Sequence, residues 1–111
     1  MSIRWHDCIF EGPFPIQYWN PPNCAALYAI MVKPDASKSP RSYRILYFGK
    51  ANNLSDKNFY LKHDKLKCWT NFSGSEENLF IAFYDVTKAS AEDRVHTLMG
   101  LIDKYRPVCN F

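Results

Sequence analysis

The chain lacks the features that mark zinc-binding, membrane and secreted proteins. Its cysteines, Cys8, Cys24, Cys68 and Cys109, are widely spaced and contain no Cys-x-x-Cys pair, so neither a zinc site nor a redox motif is predicted. The thiols are expected to be reduced and mostly buried. No stretch approaches the roughly 20 apolar residues of a membrane span, and the first residues lack the apolar run of a signal peptide. The sequence therefore predicts a cytoplasmic protein with no membrane partner.

Size and charge leave several classes of partner open. The chain has 111 residues, 47% of them hydrophobic and 16% aromatic, which suits a single domain over 1–111 with one compact core. The net charge of +3 permits a phosphate-rich partner without demanding one. Half of the 14 basic residues lie in one central segment that is interleaved with aromatic residues: Arg41, Arg44, Lys50, Lys57, Lys62, Lys65 and Lys67. A solvated face over core aromatics is the alternative interpretation of this segment.

Three strands are predicted from apolar runs. Residues 1–24 are rich in proline and predict an ordered leader that packs on the core rather than a helix. The apolar runs over 25–32 and 43–48 flank a loop of proline, serine and charged residues over 33–42, which favours an antiparallel hairpin. Aromatic and β-branched residues predict a third strand over 79–86.

Two helices complete the predicted order. A weak apolar stripe predicts the first helix over 54–63. Ser90 and Asp93 form a capping box ahead of apolar residues spaced by three and four, which predicts a second helix that Pro107 ends. The order strand, strand, helix, strand, helix indicates an α/β fold, a small antiparallel or mixed sheet of about three strands flanked by helices.

Short motifs then resemble a known family. "ALY" at 26–28 and "YFG" at 47–49, followed by "KANNL", resemble the paired motifs of the GIY-YIG nucleases, and "LIDKYRPVCNF" at 101–111 resembles their closing helix and Pro-x-x-Asn ending. The landmarks occur in family order over 26–110. The resemblance implies a nuclease-like fold, a nucleic-acid partner with DNA favoured over RNA, and Mg²⁺ or Mn²⁺ as cofactor if the domain is active.

The resemblance also assigns site residues. Tyr28 and Tyr47 fall on the motif tyrosines, and neighbouring positive charge would have to favour a phenolate, because the phenol pKa is about 10. Lys57 stands where the family carries an arginine on its first helix, and lysine lacks the arginine's bidentate geometry. His63 resembles a histidine at the end of that helix, suited to bind phosphate or assist the base; an ordinary helix-end histidine is the alternative. The implied nucleic-acid-binding residues are Gly49, Lys50, Asn53, Lys62 and Lys65. Gly49 is expected to let the backbone turn close to a phosphate. The alternative interpretation is that both tyrosines are half-buried strand residues and that Gly49 only ends the strand.

The expected metal ligand is missing. The register set by Arg94 and Leu101 puts Leu98 in the place of the family's metal-binding glutamate. Leucine cannot coordinate Mg²⁺, which needs oxygen donors, so no metal ligand is assigned. Asp56 and Asp64 remain as alternative ligands of an atypical site.

Three functions are consistent with these residues. The leading prediction is a GIY-YIG nuclease-like domain with impaired catalysis that holds DNA or RNA in a basic, aromatic cleft. The first alternative is an active endonuclease, a hydrolase with an atypical metal ligand. The second is a protein-binding regulator or inhibitor built on the nuclease fold.

Overall fold

The computed structural model describes residues 2–33 and 43–111. The strands are β1 (Ser2–Trp5), β2 (Cys8–Pro15), β3 (Ala26–Val32), β4 (Arg44–Ala51) and β5 (Leu79–Asp85), and the α-helices are α1 (Leu66–Ser73) and α2 (Ala91–Tyr105). The strands form one antiparallel sheet in the order β1-β2-β5-β3-β4. The predicted α/β fold is confirmed, but the sheet has five strands where about three were predicted.

The two additional strands come from the proline-rich leader. Along β2, Cys8 and Phe10 are buried while Ile9 and Glu11 are exposed, the alternation of a strand with one face on a core. This segment therefore packs on the core as part of the sheet. Prolines interrupt the alternation beyond Glu11, which explains why the sequence did not indicate a strand.

The predicted strands at 25–32, 43–48 and 79–86 are confirmed as β3, β4 and β5, and β3 and β4 form the predicted antiparallel pair. β4 continues through Ala51, three residues beyond its predicted end. Gly49 is therefore inside β4, paired with Tyr28, and the expectation that it ends the strand or turns the chain is wrong. The predicted loop over 33–42 lies outside the described residues except for Lys33, so nothing is described for Arg41, one of the central basic residues.

The second predicted helix is confirmed. It is α2, and the Ser90 hydroxyl accepts a hydrogen bond from the Asp93 N–H at 3.1 Å, which satisfies one of the donors left open at a helix start. The helix ends at Tyr105, and Arg106 follows in the left-handed conformation.

The prediction of a first helix over 54–63 is wrong. Its C-terminal part is only a short 3₁₀ helix (Phe59–Lys62), and the α-helix α1 begins later, at Leu66. The Asp56 carboxylate accepts the Asn58 N–H at 2.9 Å, a local turn that competes with helical hydrogen bonding.

The two faces of the sheet carry separate cores. Tyr28 and Ile30 of β3 pack with α1 through Trp69, whereas Leu27 and Ala29 pack with α2 through Leu98. Adjacent residues of a strand point to opposite faces, so α1 and α2 cover opposite sides. Within the described ranges, no helix has the length and apolar character needed to cross a membrane.

The cysteines differ from the prediction. Cys68 of α1 and Cys109 form a disulfide with a Cα–Cα distance of 5.9 Å, while Cys8 and Cys24 are free. The expectation that every thiol is reduced is therefore wrong for this pair. Because 41 positions separate the two cysteines, only the fold brings them together.

Candidate functional site

Three of the predicted site residues meet on the α1 side of the sheet. Tyr28 comes from β3, Tyr47 from β4, and His63 follows the 3₁₀ helix. The Tyr28 Oη lies 3.0 Å from the His63 Nε2, and the ring centroid of Tyr47 lies 6.1 Å from that of Tyr28 and 5.3 Å from that of His63. We call these three residues the tyrosine–histidine cluster.

Gly49 makes room for the two phenol rings. A Cβ at this position would lie 2.5 Å from both Cζ and Oη of Tyr28 and 2.8 Å from Cε2 of Tyr47. These distances are well inside van der Waals contact. The glycine is thus needed for the packing of the two tyrosines, a role different from the predicted turn.

The backbone fixes the direction of the hydrogen bonds in the cluster. The Lys65 N–H donates to His63 Nδ1 at 3.0 Å, so a neutral His63 carries its proton on Nε2 and donates it to Tyr28. Tyr28 therefore accepts from His63, and the Tyr47 hydroxyl, as a neutral phenol, can donate to a ligand.

Burial keeps both phenols neutral. It is the largest cause that raises the pKa of Tyr28 and of Tyr47, and the negative charge of Asp64 raises both further. The sequence-based expectation that positive charge would favour a phenolate is therefore wrong. At neutral pH the tyrosines are hydrogen-bond donors, and neither serves as a ready base.

The pKa of His63 is shifted in the opposite direction. Burial lowers its pKa, while the nearby Asp64 carboxylate partly opposes this change. The Asp64 Oδ1 lies 3.1 Å from His63 Nδ1, with the Asp64 side chain 87% exposed and that of His63 15% exposed. Protonation at Nδ1 would gain this ion pair but lose the hydrogen bond from Lys65. The imidazole is accordingly neutral near pH 7.

Aromatic rings enclose the cluster. The ring centroid of Trp69 lies 4.6 Å from that of His63 and 5.5 Å from that of Tyr47, and the Phe59 ring lies 5.0 Å from Tyr28. Trp69 is fully buried. Both aromatic residues lie in or just after the central basic segment of the sequence, but their order along the chain does not show where they lie in space, so the sequence did not assign them to the site.

Two of the predicted cationic residues flank the cluster along the chain. Lys62 is exposed at the end of the 3₁₀ helix, and Lys65 is half-buried immediately before α1, on either side of His63. Lys57 is exposed in the preceding loop, not on a helix as the resemblance implied. Its backbone carbonyl accepts the Trp19 Nε1–H at 3.0 Å.

The other two predicted polar residues are placed differently. Lys50 follows Gly49 in β4, so its side chain points to the opposite face of the sheet. The Asn53 amide donates to the Asn23 side chain at 3.0 Å in an exposed loop. Neither side chain joins the tyrosine–histidine cluster by a hydrogen bond in the structure.

The residues present do not fit the family's metal site. Leu98 is buried with Leu27 and Phe48 on the α2 side of the sheet, the face opposite Tyr28. Across 2–33 and 43–111, no group of three or more His, Cys, Asp or Glu side chains is placed to hold a metal ion. Mg²⁺ is usually held by carboxylates together with substrate phosphate, and the carboxylate that contacts the cluster is that of Asp64.

Asn110, the last residue of the Pro-x-x-Asn ending, is hydrogen-bonded to the strand that carries Tyr47. The Asn110 side chain accepts the Phe48 N–H and donates to the Phe48 carbonyl, each at 2.9 Å. β4 is an edge strand, so Asn110 supplies the pairing that a further strand would give. The bonds hold β4 between Tyr47 and Gly49.

Comparison of the chain with protein-family models, with curated proteins and with solved structures finds no match. The functional interpretation therefore depends on the geometry of the tyrosine–histidine cluster and on its motif residues.

Proposed function

We propose that this chain is a GIY-YIG-like domain that binds nucleic-acid phosphate at the tyrosine–histidine cluster and has impaired nuclease activity. The observation that carries the proposal is the 3.0 Å contact between Tyr28 and His63, with the Tyr47 ring packed beside them over Gly49. The resemblance had assigned each of these positions to one site.

The chemistry of the cluster suits an anion. The Tyr47 hydroxyl is a neutral donor, and the lysines on either side of His63 add positive charge at the surface. Hydrogen bonds to an ionised phosphate are roughly twice as strong as those between neutral groups. A nucleic-acid backbone offers a row of such phosphates, and duplex DNA is the favoured partner.

The same geometry accounts for impaired cleavage. Phosphodiester hydrolysis needs a base near the attacking water and stabilisation of the developing charge. Burial raises the pKa of Tyr28 and Tyr47, which disfavours the phenolate, and Leu98 occupies the opposite face of the sheet. No metal-dependent step is assigned to these residues.

Binding to labelled duplex DNA, followed by fluorescence anisotropy over a salt series, tests the proposal. Affinity should fall steeply with salt, and each lost phosphate contact should reduce the log–log slope by about 0.9. The double variant Lys62→Ala/Lys65→Ala should therefore reduce the slope by about 2. Lys50→Ala, on the other face, is the matched control and should leave the slope unchanged. If both variants reduce the slope equally, DNA does not bind on the α1 side of the sheet and the proposal is refuted.

A plasmid assay tests the impairment separately. Supercoiled plasmid incubated with the protein and Mg²⁺ or Mn²⁺ should remain intact. Nicking that requires the metal and disappears in Tyr47→Phe would show instead that the domain is an active endonuclease.

A further inference from the structure

The Cys68–Cys109 disulfide begins next to one wall of the tyrosine–histidine cluster. Cys68 immediately precedes Trp69 in α1, and the Trp69 ring packs against both His63 and Tyr47. Any displacement of this part of α1 therefore moves the ring that encloses the cluster.

The other end of the disulfide lies next to β4, the strand that carries Tyr47. Cys109 is 1% exposed and immediately precedes Asn110, whose side chain makes both hydrogen bonds to Phe48. Phe48 lies between Tyr47 and Gly49 in β4. The disulfide thus joins α1 covalently to the segment that is hydrogen-bonded to β4 through Asn110.

Few side chains of α1 are deeply buried. The helix has eight residues, no side chain caps its start, and Trp69 is its one fully buried residue. Isolated helices shorter than about 12 residues are marginal in water. The bond through Cys68 is therefore one of a small set of contacts that position α1, together with the burial of Trp69, the packing of Leu66 and the contact of Phe72 with Arg44.

We propose that Cys68 and Cys109 form a reversible redox site that controls phosphate binding, with the disulfide state competent and the dithiol state weakened. This inference rests on the proposed function. The reductant is a dithiol. One of its thiolates attacks the half-buried Cys68 sulfur, forms a mixed disulfide and releases Cys109 as a thiolate, which takes up a proton. The second thiol of the reductant, as thiolate, then releases Cys68, so the protein gains two thiols and the reductant becomes a disulfide.

The free cysteines provide a contrast. Burial is the largest cause that raises the pKa of both Cys8 and Cys24, and the thiolate is the reactive form. Neither is therefore a ready partner for exchange with Cys68 or Cys109. Cys24→Ser is the matched control for a cysteine substitution outside the pair.

The test compares the oxidised protein, the protein reduced with dithiothreitol, and the variant Cys68→Ser/Cys109→Ser. Reduction should weaken duplex DNA binding at least about fivefold, the lower end of the usual coupling between linked sites, and reoxidation should restore it. The double variant should bind DNA as weakly as the reduced protein, and dithiothreitol should not change its affinity. Cys24→Ser should keep the full response.

A second measurement separates this inference from the proposed function. The side-chain NMR signals of His63 should shift on reduction without DNA, while those of His96, exposed on α2, should not. A shift of His63 with no DNA binding in either state would overturn the redox control of binding together with the proposed function. DNA binding that is unchanged by reduction, or thiol titration showing four free cysteines in the air-oxidised protein, would overturn the redox site alone.

Discussion

Replacing Gly49 by alanine is a direct perturbation of the tyrosine–histidine cluster. The new Cβ would lie 2.5 Å from two atoms of Tyr28, so the ring must retreat by about 1 Å to reach ordinary contact. Tyr28 is only 4% exposed and has Phe59 packed on it, which blocks that movement. Overpacking of this kind costs about 1–3 kcal/mol. For a chain of this size the thermal midpoint should fall by about 5–12 °C, and DNA affinity should fall with it.

Gly100→Ala is the matched control for this experiment. Gly100 lies on the exposed side of α2, and a Cβ there would have no atom within 4 Å. The gain in helix propensity, about 1 kcal/mol, should leave the midpoint unchanged or raise it. Circular dichroism during heating and fluorescence anisotropy measure the two effects. A Gly49→Ala protein that melts and binds like the parent would refute the packing of the tyrosines described above.

Three further changes test other parts of the structure. Asn110→Leu removes both hydrogen-bond partners of the Phe48 backbone and should lower the free energy of unfolding in urea by about 1–3 kcal/mol. A urea midpoint equal to the parent's would contradict this prediction. Burial lowers the folded-state pKa of His63. The contribution of His63 to the free energy of unfolding is therefore fully present above about pH 6.5 and is lost as the pH falls through that lowered pKa. Melting curves across this range should show the loss, and His63→Gln should abolish it. Leu98→Glu should destabilise by about 2–5 kcal/mol and should gain no Mg²⁺ binding by calorimetry, whereas the exposed Val95→Glu should change stability by under about 0.5 kcal/mol.

The fold could be predicted where local signals were strong. β3 and β5 are continuous apolar runs, and α2 has both a capping box and a regular stripe. β2 was missed because prolines interrupt its alternation. α1 was missed because it is short and has no capping side chain.

The site could be predicted only in part. The resemblance grouped Tyr28, Tyr47 and His63, and the structure brings them together. The face on which Leu98 lies depends on how α2 packs against the sheet, which no motif specifies. The direction of the phenol pKa shifts depends on burial, and the disulfide depends on two segments meeting in space.

The most direct test of phosphate binding at the tyrosine–histidine cluster is histidine side-chain NMR during titration with duplex DNA at low salt. The chain has three histidines: His63 in the cluster, His6 exposed in the β1–β2 turn and His96 exposed on α2. We predict that the His63 signals move saturably and return when salt is added, while those of the other two histidines stay in place. Shifts of His96 or His6 with an unchanged His63 would contradict it.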